Sequence, residues 1–114
     1  MQHTPLNAGK KLSIHEISSA REVPIVNGTC MILQIEVFKK LGGFDESFFA
    51  YFEDWDLCFR TRDLGYRILH VPEAIISHHG SATTGKNTLI YQFLMTRNRY
   101  LIARKHLPLV DLSR

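Results

Sequence analysis

Apolar residues change their period several times along the chain, and each change predicts an element. Between Leu12 and Ile17 apolar and polar positions alternate weakly, as in a short strand. Ile25 to Leu33, rich in Ile, Val, Thr and Met, predicts a fuller strand. It is interrupted at Asn27-Gly28, and a glycine inside a strand marks a bulge or a close approach to the backbone. Ile35 to Leu41 puts Val37, Phe38 and Leu41 on one helical face, with Gly42 as the C-terminal stop. Phe44 to Phe52 is dense in aromatics and predicts a packed loop. Asp54 to Leu64 carries Leu57, Cys58, Thr61 and Leu64 at helical spacing, and Gly65 ends it. Tyr66 to Val71 predicts a strand broken at Pro72, and Ala74 to His79 a second extended piece. Gly80 to Asn87 is small and polar, a loop. Thr88 to His106 predicts the longest helix, with Pro108 just beyond its end. Strands alternating with helices give an α/β chain.

Composition narrows this further. A chain of 114 residues suits one domain, here a polar arm over residues 1–22 and a folded region over 23–114. With 45% hydrophobic and 22% charged residues the chain has the makings of a globular core rather than a disordered segment. Two cysteines, Cys30 and Cys58, cannot build a disulfide framework, and both sit in apolar segments. They read as reduced, buried small hydrophobes, which favours a cytoplasmic setting. The start of the chain lacks the apolar segment of a signal peptide, and no apolar run reaches the roughly 20 residues that span a bilayer.

The net charge of +3 is unevenly spread. No acidic residue lies between Glu73 and Asp111, while Lys86, Arg97, Arg99, Arg104 and Lys105 are basic. Such a stretch either is a solvated helix face or meets phosphate or an anionic membrane surface. Nucleic-acid binding would need exposed aromatics on a recognised scaffold, and none is visible.

The chemistry concentrates at Tyr51 to Arg60, where Glu53, Asp54 and Asp56 stand among aromatic and apolar residues. Carboxylates in such company are paired, hydrogen-bonded or used. One reading makes Asp54 a cap on the helix that begins there, where unpaired N–H groups and the dipole favour negative charge. The other takes three carboxylates within four positions as more than a cap requires: like charges raise one another's pKa, which suits a general base. His78 and His79 end an extended segment, so only one of them can enter a given site. No Cys-X-X-Cys or His-X-X-X-His spacing supplies a closed zinc site. Gly80 to Lys86 looks superficially like a phosphate loop but lacks the Ser or Thr after the lysine.

Taken together, Val26-Asn27-Gly28-Thr29-Cys30-Met31, Gly42-Gly43-Phe44-Asp45-Glu46-Ser47-Phe48-Phe49 and Glu53-Asp54-Trp55-Asp56-Leu57-Cys58-Phe59-Arg60 strongly resemble the family 2 glycosyltransferases. The likeness is to the bacterial rhamnosyltransferase-like enzymes that build cell-surface polysaccharide. Gly65-Tyr66, Pro72, Ala74 and His78 continue the resemblance in order, and Arg97-Asn98 matches the family's late helix, so it covers about residues 23 to 106. It implies a partial GT-A-like fold, a few strands packed with three helices, and inverting transfer of a sugar from a nucleotide-diphosphate donor to a carbohydrate acceptor. By the same resemblance Asp54 is the general base, Glu53 and Asp56 support it, and Gly28, Trp55 and Arg97 contact substrate. His78 would help hold a divalent metal, Mg or Mn, on the leaving diphosphate.

Members of that family begin with a nucleotide-binding half ending in an Asp-X-Asp metal motif. Only a short arm precedes residue 23 here, and no Asp-X-Asp stands ahead of Gly28. That leaves an apolar face and a sheet edge to be covered. Two functions follow. One is the acceptor and base-carrying part of a transferase completed by a donor-binding half, expected in the cytoplasm or peripheral to the inner membrane face. The other is a catalytically silent module that self-associates or binds a partner chain.

Overall fold

The computed structural model describes residues 19–78 and 88–107, and the expected strand at 12–17, His79, the loop at 80–87 and Pro108 lie outside the described residues. Among these residues three helices and a two-stranded sheet make a small mixed α/β unit. The elements run β1 (Arg21–Glu22), α1 (Ile35–Lys40), a 3₁₀ turn (Glu46–Phe48), α2 (Glu53–Asp63), β2 (Leu69–His70) and α3 (Leu89–His106).

The helices end where local chemistry says they should. α1 carries Glu36 in its first turn and Lys39 and Lys40 in its last, both signs matching the helix dipole. It is closed by Gly42 and Gly43, both left-handed at φ 76° and 78°, whose amides bond back to Lys39 and Phe38. α2 has Glu53, Asp54 and Asp56 in its first turn and Arg60 and Arg62 in its last. α3 starts at Thr88, whose hydroxyl accepts from the Tyr91 amide at 3.2 Å, and ends on Arg104, Lys105 and His106.

The strands are shorter than their composition predicts. β1 and β2 pair antiparallel with Arg21 opposite His70 and Glu22 opposite Leu69, and the Val23 amide adds one bond to the Ile68 carbonyl. The expected strand at 25–33 does not form. The Asn27 side-chain oxygen instead accepts from both the amide and the hydroxyl of Thr29, reversing the chain there. Of Tyr66 to Val71 only Leu69–His70 is paired, because β1 offers two partners. Residues 74–78 join no ladder.

The core is Val37, Phe48, Leu57, Cys58, Ile68 and Leu94, with Asp56, Thr61 and Asn98 buried among them. Cys58 is buried as expected and its thiol points at the Val26 carbonyl, burial pushing its pKa up; Cys30, by contrast, is exposed. Several large apolar residues lie open, Ile32 at 96% and Ile75 at 75% exposure among them. Ile25, Val26, Met31, Leu33, Val71 and Ile76 line a cleft of about 790 Å³.

Candidate functional site

Three devices fix the first turn of α2. The first is the backbone that feeds it. Phe49, Tyr51 and Phe52 all have positive φ, at 62°, 67° and 71°, and none is glycine. Each such residue costs about 1–3 kcal/mol, so this run persists only because its surroundings dictate it. Phe52 is the N-cap residue and offers no side-chain cap.

The second device is a carbonyl clamp on α3. The Asn98 amide nitrogen donates to the carbonyls of Phe48 at 2.9 Å, Ala50 at 2.6 Å and Tyr51 at 2.7 Å, and Asn98 is fully buried. Arg97 donates from Nη2 to the carbonyls of Ser47 and Phe48, and from Nε to Asn98 Oδ1. The guanidinium expected to contact substrate is thus turned onto backbone. Tyr91 of α3 meets Tyr51 edge to face, the ring centroids 5.2 Å apart.

The third is an ionic hub beneath the same turn. Asp56 has no exposed surface, and its carboxylate accepts from Arg60 Nε at 2.7 Å, Lys105 Nζ at 2.8 Å and His106 Nε2 at 2.7 Å. Arg60 also donates to the Leu41 and Gly43 carbonyls, tying the glycine turn to α2. Lys105 reaches on to Asp45, and His106 stacks on Phe59. Burial opposes ionisation of Asp56, but the hydrogen bonds from Lys105, His106 and Arg60 outweigh it and hold the carboxyl below its ordinary value. Lys105 and Ser47 likewise hold Asp45 well below its ordinary value. The expected mutual raising among the carboxylates therefore fails for Asp56. Glu53 is raised, first by burial and then by the neighbouring Asp54 charge, and its Oε2 is buried without a hydrogen-bond partner.

These shifts set an acid limit. A carboxyl depressed in the folded state stabilises it above the unfolded value, 3.8 for both Asp45 and Asp56, and that stability is lost as pH falls through the folded value. Glu53 has the opposite sign, its contribution being present below 4.5 and lost as pH rises through its folded value. Thermal unfolding followed from pH 7 to pH 2 should show a midpoint that drops below about pH 4, and Asp56→Asn should flatten that limb. A limb as steep in Asp56→Asn as in the parent chain would put the acid-sensitive group elsewhere.

Asp54 is held but not enclosed. Its Oδ2 accepts from the Gly28 amide at 2.7 Å and its Oδ1 from the Trp55 amide at 2.8 Å, and the residue is half-buried. Asp54 is not the N-cap residue, which is Phe52, but its Oδ1 takes up the first-turn amide of Trp55 while its Oδ2 reaches across to the 27–29 turn. A β-carbon at Gly28 would lie 3.2 Å from Asp54 Cβ and 3.3 Å from Oδ2, so the glycine is what admits the carboxylate. Asn27 and Thr29, on either side of Gly28, line the apolar cleft, as does the exposed His78. Trp55 packs edge to face on Phe52, with centroids 5.2 Å apart.

The structure thus joins Gly28, Asp54 and Trp55 by hydrogen bonds, buries Asp56 among Arg60, Lys105 and His106, and sets His78 on the cleft wall. Among the described residues no three His, Cys, Asp or Glu side chains converge to hold a metal ion, so these residues do not by themselves make a metal centre. Asn98, quoted only as a motif residue, Lys105, noted only for its charge, and His106 are members that the sequence did not place in the site. Asn98 carried a signal, since it continues the apolar stripe of Leu94 and Ile102. Lys105 and His106 carried none, because Asp56 lies about fifty positions away.

Comparison with known proteins agrees with the motifs. The relatives include an N-acetylglucosaminyl-diphospho-decaprenol L-rhamnosyltransferase of Mycobacterium tuberculosis, 33% identical over 89 residues that make up 77% of this chain and 29% of that protein. The rhamnosyltransferase WbbL of Escherichia coli is 33% identical over 60% of this chain and 26% of its own length. The low-salt glycan biosynthesis hexosyltransferase Agl10 of Haloferax volcanii is 29% identical over 85% of the chain and 30% of its length. The chain therefore spans about three tenths of the length of these relatives. No solved structure is a significant match. The family model for glycosyl transferase family group 2 matches residues 6–110, nearly the whole sequence, and the chain belongs to that family.

Proposed function

We propose that this chain is the acceptor-side, base-carrying part of an inverting GT-A glycosyltransferase. It moves a sugar, rhamnose or another hexose, from a nucleotide-diphosphate donor to a cell-surface polysaccharide acceptor. The observation that carries the reading is the Asp54 carboxylate, half-buried and fixed by the Gly28 and Trp55 amides, on a turn whose Asn27 and Thr29 line the cleft. Each carboxylate oxygen keeps a lone pair beyond the one its amide uses. Asp54 takes the proton of the acceptor hydroxyl as that oxygen bonds to the anomeric carbon. The bond from that carbon to the diphosphate oxygen breaks, and the nucleoside diphosphate leaves with the electron pair. Trp55 offers a ring face to a sugar. Asp56 and its cations hold the turn from below, and Glu53 flanks the base. The name of the mycobacterial relative points to a saccharide on a polyprenyl diphosphate as the acceptor class.

His78 supplies one imidazole in the cleft, and any divalent metal would draw its other ligands from the diphosphate and from a donor-binding part. The open Ile32, Ile75 and Ile76 suit contact with that part. None of the described helices is long and apolar enough to cross a membrane. Exposed Arg99, Arg104 and Tyr100 on α3 suit a peripheral contact with the anionic inner face of a membrane.

The test is the configuration of the product. The protein carrying this chain, given a panel of nucleotide-diphosphate sugars and a lipid-linked acceptor, should transfer one sugar with its anomeric centre inverted, read by proton NMR. Retention of configuration would remove the single-base mechanism. Gly28→Ala should lower the transfer rate roughly tenfold by shifting the base a few tenths of an ångström. Its midpoint of unfolding should stay near that of the parent chain.

A second reading rests on the same exposed apolar side chains. The chain would then be a catalytically silent module that self-associates through them. Light scattering on the purified chain separates the two: a stable homo-oligomer with no transfer when the donor-binding part is supplied supports the module, and a monomer excludes it.

A further inference from the structure

The loop that delivers Asp54 contains an uncommon turn. The Ala50 amide bonds to the Phe48 carbonyl at 2.7 Å, a three-residue closure centred on Phe49 at φ 62° and ψ −62°. That is the strained form of the γ-turn, rare for a residue with a side chain. The Phe49 side chain is 79% exposed, so little packing holds the turn in place. What does face it is α3: the Phe48 carbonyl also accepts from Asn98 and Arg97, and the carbonyls of Ala50 and Tyr51 accept from Asn98. Arg97 Nε donates to Asn98 Oδ1, which fixes which end of the amide faces the loop. An acceptor in place of that nitrogen would confront three carbonyl oxygens.

We infer that Asn98, oriented by Arg97, is a positioning residue for Asp54. The pair holds the loop Phe49–Phe52, three of whose residues have positive φ, and that loop sets the angle at which α2 starts and hence the approach of Asp54 to the Gly28 amide. The inference rests on the reading of Asp54 as the base only for its catalytic consequence. The positioning itself can be measured without any turnover. Asn98 touches no reacting atom in this account; it acts through the loop.

The measurement is the amide proton of Gly28 in the ¹⁵N-labelled protein. A 2.7 Å bond to a carboxylate should place it far downfield, and protonating Asp54 with acid should move it back. Asn98→Asp should abolish the downfield position at neutral pH and lower the transfer kcat about a hundredfold, with acceptor KM changed less than threefold. Asn98→Ala should do the same more mildly. Phe49→Gly should then restore much of the shift and of kcat in the Asn98→Ala background, because glycine takes the turn without strain. A purely structural role for Asn98 would not be rescued by loosening one exposed residue of the loop.

Where an Asn98 variant does not fold, Arg97→Gln decides, since it frees the amide without emptying the buried site. A folded variant whose Gly28 amide keeps its parental shift overturns the inference, as does failure of Phe49→Gly to restore any of that shift. An altered shift with unchanged kcat leaves the positioning intact and removes Asp54 as the base.

Discussion

Asp56→Ala should destabilise the fold by about 3 kcal/mol, the lower end of what breaking a buried charge network costs. In a chain of this size that is a fall of at least about 10 °C in the unfolding midpoint. The carboxylate has no exposed surface and bonds three partners, of which Arg60 and His106 are 19% and 8% exposed. Removing it strands those two groups away from water, and the desolvation they have already suffered is no longer offset. Lys105 is 37% exposed and can rehydrate, so its share is small. The contrast with Asp45 makes the expectation specific. The Asp45–Lys105 pair is closer, at 2.6 Å, but its members are 30% and 37% exposed. Asp45→Ala should therefore cost about 1 kcal/mol or less from the lost ion pair, with some further loss because its side chain also caps the 3₁₀ turn through the Ser47 amide. Urea midpoints for the two variants compare them directly. Equal losses would mean that distance rather than burial governs this network, and the hub would not be the fastening between α2 and α3.

What was legible in the sequence divides along the range of the interactions. The helices were read to within about a residue at each end, because their signals are local: apolar residues at helical spacing, Gly42 and Gly65 as stops, and the carboxylates at the start of α2. The strand at 25–33 was misread for the opposite reason. Its Ile, Val and Thr content favours extended backbone, but a ladder needs a neighbour, and here the Asn27 side chain reversed the chain while β1 and β2 offered each other only two residues. Cys30 was misplaced with it. The site shows the same division. Gly28 and Asp54 were both visible as unusual residues, and the family motifs put them in one site. That the first is bonded to the second across 26 positions, and needs its missing side chain to do so, is a tertiary fact. The basic residues of α3 were read as an outer face, yet Arg97 and Lys105 are turned inward onto carbonyls and carboxylates. Charge alone does not say which way a helix is rolled.

Asp54→Asn should reduce transfer to natural hydroxyl acceptors by about a hundredfold to ten-thousandfold, the usual worth of a positioned general base. The substitution is nearly isosteric. Its amide oxygen can still accept from Gly28 or Trp55, and the charge it deletes is not part of the Asp56 hub, so the unfolding midpoint should move little. The loss should appear in kcat, with the acceptor KM changed less than about threefold, because proton removal is a demand of the transition state and not of the bound acceptor. Glu53→Gln is the comparison. Its neighbour carboxyl is raised by burial and bonds nothing at Oε2, so it should give a far smaller loss. The deciding experiment changes the acceptor rather than the enzyme. An acceptor with a thiol in place of the reacting hydroxyl, assayed above its ordinary pKa of about 8.5, arrives already ionised and needs no base. Asp54→Asn should then transfer to the thiol at close to the parental rate while failing with the alcohol. If both acceptors fail equally, Asp54 serves to bind or to shape the cleft, and the proton must leave by another group.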